Sequence, residues 1–328
     1  MLKLDAILAA HARIAPHVRR TPLVHSAYLS ARTGGEVWLK AECLQPTGSF
    51  KVRGAVNKVG LLSTEERERG VVTGSAGNHG LGVAYAARSW GGVKADVFCP
   101  RSAPRAKLDK LRRFEIGLHL AGETYEDAHQ AAEMHARQTG ATYLQAYDDL
   151  DVMAGQGTMA VEVIQELPSP DLMLVPVGGG GMIAGVAVAV RAQAPGCRVV
   201  GVQPEASPAA LLSLREGRGI DPYDHEPTLA DGLAGGFGKL AYQVAGSLID
   251  QVLLSSEEEL RHAIFALVDQ EQLVVEASGA ISIAPLLNGS LDVTGKTVVC
   301  VLSGGNLDTA LLRDILVEYT AAGAPARS

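Results

Sequence analysis

Aromatic residues are scarce in this 328-residue chain, with two Trp, eight Tyr and five Phe, 5% in all. Cysteine is scarcer still, and Cys43, Cys99, Cys197 and Cys300 lie far apart with no C-x-x-C among them. That spacing argues against a disulfide framework and a zinc site and points to the reduced thiols of a cytoplasmic protein. Positive charge is not in excess. The formal net charge of −7 disfavours nucleic acid or an anionic membrane as the main partner, since both require a basic face. The N-terminus, with Lys3 and Asp5, has too short an apolar run for a signal peptide. Charge is missing altogether over residues 172–190, a length that could span a bilayer. Pro176 and four consecutive glycines interrupt that stretch, a break no lipid-exposed helix tolerates, so it reads as strand, loop and helix. Glycine is abundant, at 37 residues, and 47% of the chain is hydrophobic, which suits a compact α/β enzyme with a substantial core.

Periodicity then orders the chain. Residues 4–18 have helical spacing, stopped by Thr21-Pro22-Leu23, and residues 36–42 alternate as a strand. From residue 71 to about residue 146, short strands (71–73, 95–99, 118–120, 142–145) alternate with helices, the signature of a parallel sheet built from βαβ units. A helix at 153–167 precedes a second set of strands at 172–177, 198–202, 251–254 and 297–302. Ser63-Thr64-Glu65-Glu66 and Ser256-Glu257-Glu258-Glu259 have capping-box spacing, and the Pro-rich 221–227 stretch is a surface loop. The predicted architecture is α/β with two parallel-sheet domains. A small domain at 53–146 is inserted into a large one made of 1–52 and 147–328. The helix after Asn306 is followed by only a short tail to Ser328, so no separate effector domain is expected.

Four stretches carry the chemistry. In Pro46-Thr47-Gly48-Ser49-Phe50-Lys51, a turn-forming cluster delivers a lysine to a helical run at 52–62. Burial and the positive helix end both lower the pKa of an amine placed there, and a neutral amine is the form that attacks an aldehyde to give a Schiff base. A random lysine is most simply a solvated surface residue; the other three stretches set Lys51 apart. Gly178-Gly179-Gly180-Gly181 lies between an apolar strand and a helix beginning at Met182, where bare N–H groups make a phosphate cradle. Ser75-Ala76-Gly77-Asn78-His79-Gly80 occupies another strand-to-helix turn, with His79 read as a core histidine. Ser303-Gly304-Gly305-Asn306 ends a further apolar strand, and Ser303 could simply cap the helix that starts near Leu307.

Taken in this order, the four stretches resemble the fold-type II pyridoxal-phosphate enzymes (tryptophan synthase β-like), most closely the threonine/serine dehydratase and serine racemase group. The resemblance covers about residues 14–316. It implies that pyridoxal 5'-phosphate lies in the cleft between the two domains, joined to Lys51, with Phe50 packed on its ring. It also implies phosphate contacts from Gly178, Gly179, Gly180, Gly181 and Met182, Asn78 facing the ring hydroxyl and Ser303 facing the ring nitrogen. Substrate contacts would come from Ser75, Ala76, Gly77 and Asn78. A neutral hydroxyl opposite the ring nitrogen favours expulsion of a β-substituent over transamination. The implied reaction is dehydration of L-threonine or L-serine by a cytoplasmic homodimer acting on a small amino acid, with serine racemase or 3-hydroxyaspartate dehydratase as the alternatives.

Two departures narrow this expectation. Racemases of the group carry a second serine where this chain has Ala76, whose methyl can move no proton. Metal-stimulated members carry two carboxylates at positions matched here by Gln203 and Ala209, so no metal is expected, although Glu205 lies between them. A rival of another class is a nicotinamide-dependent oxidoreductase, because Gly179-x-Gly181-x-x-Ala184 followed by Glu205 fits a relaxed dinucleotide fingerprint. That reading leaves Lys51 and the two serine loops without a role. A serine hydrolase is weaker, since Thr73 occupies the first glycine position of the nucleophile elbow in Thr73-Gly74-Ser75-Ala76-Gly77. Gly295-Lys296-Thr297 is no phosphate loop: Ser290 stands where the first glycine belongs, and the run precedes its strand.

Overall fold

The computed structural model describes residues 1–321, and the tail to Ser328 lies outside the described residues. Its strands are β1 (Leu23–His25), β2 (Glu36–Lys40), β3 (Val71–Gly74), β4 (Ala95–Cys99), β5 (Gly117–Leu120), β6 (Thr142–Tyr143), β7 (Leu172–Pro176), β8 (Arg198–Pro204), β9 (Gln251–Ser255) and β10 (Thr297–Val301). They form a six-stranded sheet in the order β1-β2-β10-β7-β8-β9 and a four-stranded sheet in the order β5-β4-β3-β6. Every neighbouring pair is parallel except β1 with β2. The four strands of the smaller sheet are consecutive in the chain and lie between β2 and β7.

Strands covered by helices on both faces read as unbroken apolar runs. Accordingly β4 and β7 are buried at all five positions and β3 at all four. The predicted strand at 142–145 shortens to two residues because the carbonyl of Leu144 is taken by side chains instead of the ladder: Thr73 Oγ1 and His79 Nε2 both lie 3.0 Å from it. The edge strand β1, at three residues, is too short to show alternation in the sequence. Both expected capping boxes form, at Ser63/Glu66 and Ser256/Glu259, and a third forms at Thr124/Asp127.

The helix Lys51–Gly60 packs between the helices Asn78–Ser89 and Leu150–Glu166. Close approach needs glycine on both sides of the second contact. A Cβ on Gly155 would stand 2.6 Å from the carbonyl oxygen of Arg53, and one on Gly54 would stand 2.4 Å from Gln156 Nε2. The same gap is bridged by a hydrogen bond of 3.1 Å from Gly54 N to Gln156 Oε1.

Behind this helix lies a buried ionic network. Arg53 donates from Nη1 to Glu162 at 2.7 Å and from Nε and Nη2 to Glu42 at 2.8 Å each. Lys40 Nζ reaches Glu162 at 2.6 Å and the carbonyl of Thr21 at 2.7 Å. All four charged side chains are buried, two of each sign, so the cluster is neutral overall. Burial opposes ionisation of Glu42, but Arg53 outweighs it and holds the carboxyl below the usual range. Removing one member strands the others in a low-dielectric interior. Glu162→Ala should therefore lower stability by about 3–5 kcal/mol in urea unfolding; a loss under ~1 kcal/mol, the worth of a surface pair, would show that water reaches the cluster.

Candidate active site

The lysine turn is stitched to the end of β10. Phe50 N donates to Ser303 O at 3.0 Å, Gly305 N donates to Gly48 O at 2.8 Å, and Ser49 forms an isolated antiparallel bridge with Gly304. These bonds set the first turn of the following helix, whose first residue is Lys51. Its amine donates to the carbonyl of Ala146 at 3.1 Å and lies 5.2 Å from the centroid of the Phe50 ring. Burial lowers the Lys51 pKa to about 8 against the opposing pull of the Glu276 charge. About a tenth of the amine is thus neutral at pH 7, far more than for an ordinary lysine.

Two uncapped helix starts border the lysine. The loop after β7 enters the helix Gly181–Gln193 through Gly180, at φ +92°, with no side chain capping it. Gly179 is the partly exposed member of the four glycines, and Met182 is buried behind them. Tyr147, next to the Ala146 carbonyl, packs on this loop, and its hydroxyl donates to Asp221 Oδ2 at 2.9 Å. Burial and then the Asp221 charge raise the phenol's pKa well above its usual range.

The second uncapped start follows β3. Ser75, Ala76, Gly77 and Asn78 form a partly exposed run at the end of a fully buried strand, and no side chain caps the helix Asn78–Ser89. Ser75 Oγ accepts from Gly77 N at 3.2 Å, and Ala76 packs on the small cluster around Leu81 and Val97. Asn78 donates to Glu276 Oε1 at 2.6 Å and accepts from Asn306 Nδ2 at 2.7 Å. His79 is buried; burial, then the Lys51 charge, push its pKa down to about 4, so it is neutral.

Ser303 is buried and donates to Ser278 O at 3.2 Å. It does not cap the C-terminal helix Thr309–Ala321. Asp308 fills that role, accepting from the N–H groups of Ala310 and Leu311. Gln203 is likewise tied off: its amide donates to Val177 O at 3.2 Å and accepts from Ala210 N and Leu211 N. Glu205, the ribose ligand of the dinucleotide reading, is exposed beyond β8. Among the described residues no group of three or more His, Cys, Asp or Glu is arranged to hold a metal ion.

The fold thus brings Lys51 and the three loops together at the carboxyl ends of β3, β7 and β10, where open α/β sheets bind ligands. The donors fit pyridoxal phosphate. Two helix starts without side-chain caps carry N–H groups that could hold anions such as a phosphate or a carboxylate, and Lys51 supplies a primary amine of lowered pKa. Among the described residues, Ser49 Oγ, buried two positions before Lys51, has no hydrogen-bond partner. Sequence reasoning missed Glu276, the Tyr147–Asp221 pair and the network around Arg53. Glu162 gave a readable signal, as a lone charge in the apolar run Met159 to Ile164.

A family model described as "Pyridoxal-phosphate dependent enzyme" matches residues 14–304. The L-threonine ammonia-lyase of Thermotoga maritima is 43% identical over 317 residues, covering 96% of this chain and 78% of that one. The catabolic L-threonine dehydratase TdcB of Escherichia coli is 37% identical, covering 95% of each chain. Maize serine racemase superposes with a TM-score of 0.91 at 31% identity, covering 98% of each chain.

Gly180 combines two constraints on the glycine loop: a left-handed backbone at φ +92° and a Cβ position 2.6 Å from the Phe237 ring. Gly180→Ala should cost roughly 1–3 kcal/mol of stability in urea unfolding. An unchanged midpoint would mean that the loop can relax away from Phe237.

Proposed function

The chain belongs to the pyridoxal-phosphate dependent enzymes, and from that premise we propose that it removes water from L-threonine or L-serine, leaving a 2-oxo acid and ammonia. The observation that carries the reading is the placement of Lys51, a largely buried amine between two uncapped glycine-bearing helix starts. The threonine ammonia-lyases and dehydratases among its relatives support the choice of reaction.

Bound cofactor supplies an electron sink for the bond-breaking at Cα. The chain's own residues do the rest. Lys51 would hold the cofactor, and its neutral nitrogen would serve as the base that takes the proton from Cα. The N–H groups of Gly178 to Gly181, with Met182 behind them, would hold the phosphate, and Phe50 would pack on the ring. Asn78 would serve the ring hydroxyl. Ser303 would serve the ring nitrogen as a neutral partner. Ser75, Ala76 and Gly77 bind the substrate carboxylate through backbone N–H groups and the serine hydroxyl. The β-hydroxyl leaves as water, and hydrolysis then releases ammonia. We take the protein to work as a cytoplasmic homodimer. All four cysteines are free, and among the described residues no helix is long and apolar enough to cross a membrane.

Racemisation is disfavoured because it needs a proton delivered to Cα on the face opposite Lys51, and Ala76 offers only a methyl group. With L-serine, pyruvate should therefore form faster than D-serine by about a hundredfold or more. Ala76→Ser should raise the D-serine share. Equal rates of the two products in the wild type would overturn the assignment.

The same reading sets a pH dependence for capture of the cofactor by the apoprotein. Attack requires the neutral amine, and the Lys51 pKa is lowered to about 8. The capture rate should rise about tenfold per pH unit below that value and level off above it. A rate still rising steeply at pH about 10, the range of an ordinary lysine, would show that Lys51 is not buried enough to be activated.

A further inference from the structure

Four side chains form one hydrogen-bonded line. Lys110 Nζ, from the helix Arg105–Leu111 between β4 and β5, donates to Asn306 Oδ1 at 2.8 Å. Asn306 Nδ2 donates to Asn78 Oδ1 at 2.7 Å and to Thr47 O at 2.9 Å. Asn78 Nδ2 then donates to Glu276 Oε1 at 2.6 Å. Lys110 and Asn78 come from the segment that builds the four-stranded sheet, and Asn306 and Glu276 from the segment that builds the six-stranded one, so the line crosses between them three times.

The polarity of the line is forced from its ends. An ammonium can only donate and an ionised carboxylate can only accept, so neither amide can turn over without losing a bond. Asn78 is left with its oxygen committed to Asn306 and one N–H committed to Glu276. The donor it has free for a ligand is its second N–H. With Glu276 neutral or absent, this orientation is held from the Lys110 end alone.

Glu276 is largely buried, with its backbone N–H bonded to Gly304 O at 3.0 Å, directly behind Ser303. The charged and titratable groups around it are Asp231, Lys107, Lys110, Lys51 and Cys43. Burial, and then Asp231, raise its pKa to about 7, against the Asn78 bond and the charges of Lys107 and Lys110. Lys107 is itself paired with Asp231 at 2.6 Å.

We propose that Glu276 is a positioning residue for the dehydration: its carboxylate, with Asn306 as counterpart, fixes the Asn78 amide as a hydrogen-bond donor toward the cofactor ring and supplies a negative charge that the Lys51 nitrogen feels. The proposal rests on the reading that Lys51 carries the cofactor, and the test separates the two.

Holoenzymes of the wild type, Glu276→Gln, Glu276→Asp and Asn306→Ala would be titrated by pH for the yellow absorbance of the Lys51-bound cofactor, and assayed with L-threonine. Glu276→Gln keeps the size and an acceptor but removes the charge. Its absorbance midpoint should fall by roughly half a unit or more, because an opposite charge no longer favours the cationic nitrogen. Its kcat should fall about tenfold or more, the effect of losing a charge-assisted hydrogen bond, with little change in KM. Glu276→Asp should recover most of the midpoint. Asn306→Ala, which loosens the amide but keeps the charge, should lower kcat and leave the midpoint in place. If Glu276→Gln fails to fold, the Asp and Asn306 variants still decide. Midpoint and kcat at wild-type values in every folded variant, or a loss of melting temperature alone, would overturn the proposal. A wild type with no borohydride-sensitive absorbance would instead overturn the assignment of Lys51.

Discussion

The structure depends on a buried charge arrangement that touches no ligand. Arg53 is gripped by Glu42 and Glu162, and Lys40 by Glu162, all away from water. Two residues apart on one helix, Lys51 and Arg53 point to nearly opposite sides. The network therefore locks from behind the helix whose front carries the lysine. It ties together the end of β2, the turn Glu42–Leu44, the Lys51–Gly60 helix and the Leu150–Glu166 helix. Isolated, each of these charges would be too costly to bury; as a neutral hydrogen-bonded set they tolerate one arrangement of the four elements.

On the open side the electrostatics run the other way. The site presents helix starts and a lysine, features that welcome anions, and Glu276, the carboxylate bonded to Asn78, has a raised pKa. The amine of Lys51 meets a carbonyl and a ring face instead of a bonded carboxylate, so burial outweighs the pull of the Glu276 charge and its pKa falls. The two lysines of the Lys51 region thus take different roles from their surroundings. Lys40 is held by a carboxylate and a carbonyl at short range, while Lys51 is left weakly held and reactive.

How much of this was legible in the sequence depends on how local each signal is. The lysine turn, the glycine run and the two serine loops are each a strand, a turn and a helix within about ten residues, so spacing and residue type suffice to find them. The parallel sheets follow from apolar runs at regular intervals, and the inserted sheet from their order. The partners of the buried network lie 11, 109 and 122 residues apart, and Tyr147 meets Asp221 across 74, distances over which periodicity says nothing. Glu276 sits in an unremarkable Val-Glu-Ala-Ser-Gly run and acquires its place only when Gly304 and Asn78 close on it. Ser303 looked equally like a helix cap, and only the position of Asp308 separates the readings.

The central claim is that the position of Lys51, set by the network behind it, makes it the residue joined to pyridoxal phosphate. The most direct measurement is borohydride reduction of the cofactor-loaded protein, followed by proteolysis and mass mapping of the modified peptide. The account predicts a single pyridoxyl group on the peptide containing Ser49-Phe50-Lys51. A pyridoxyl group on Lys40, Lys58, Lys110 or any other lysine, with Lys51 unmodified, would contradict it.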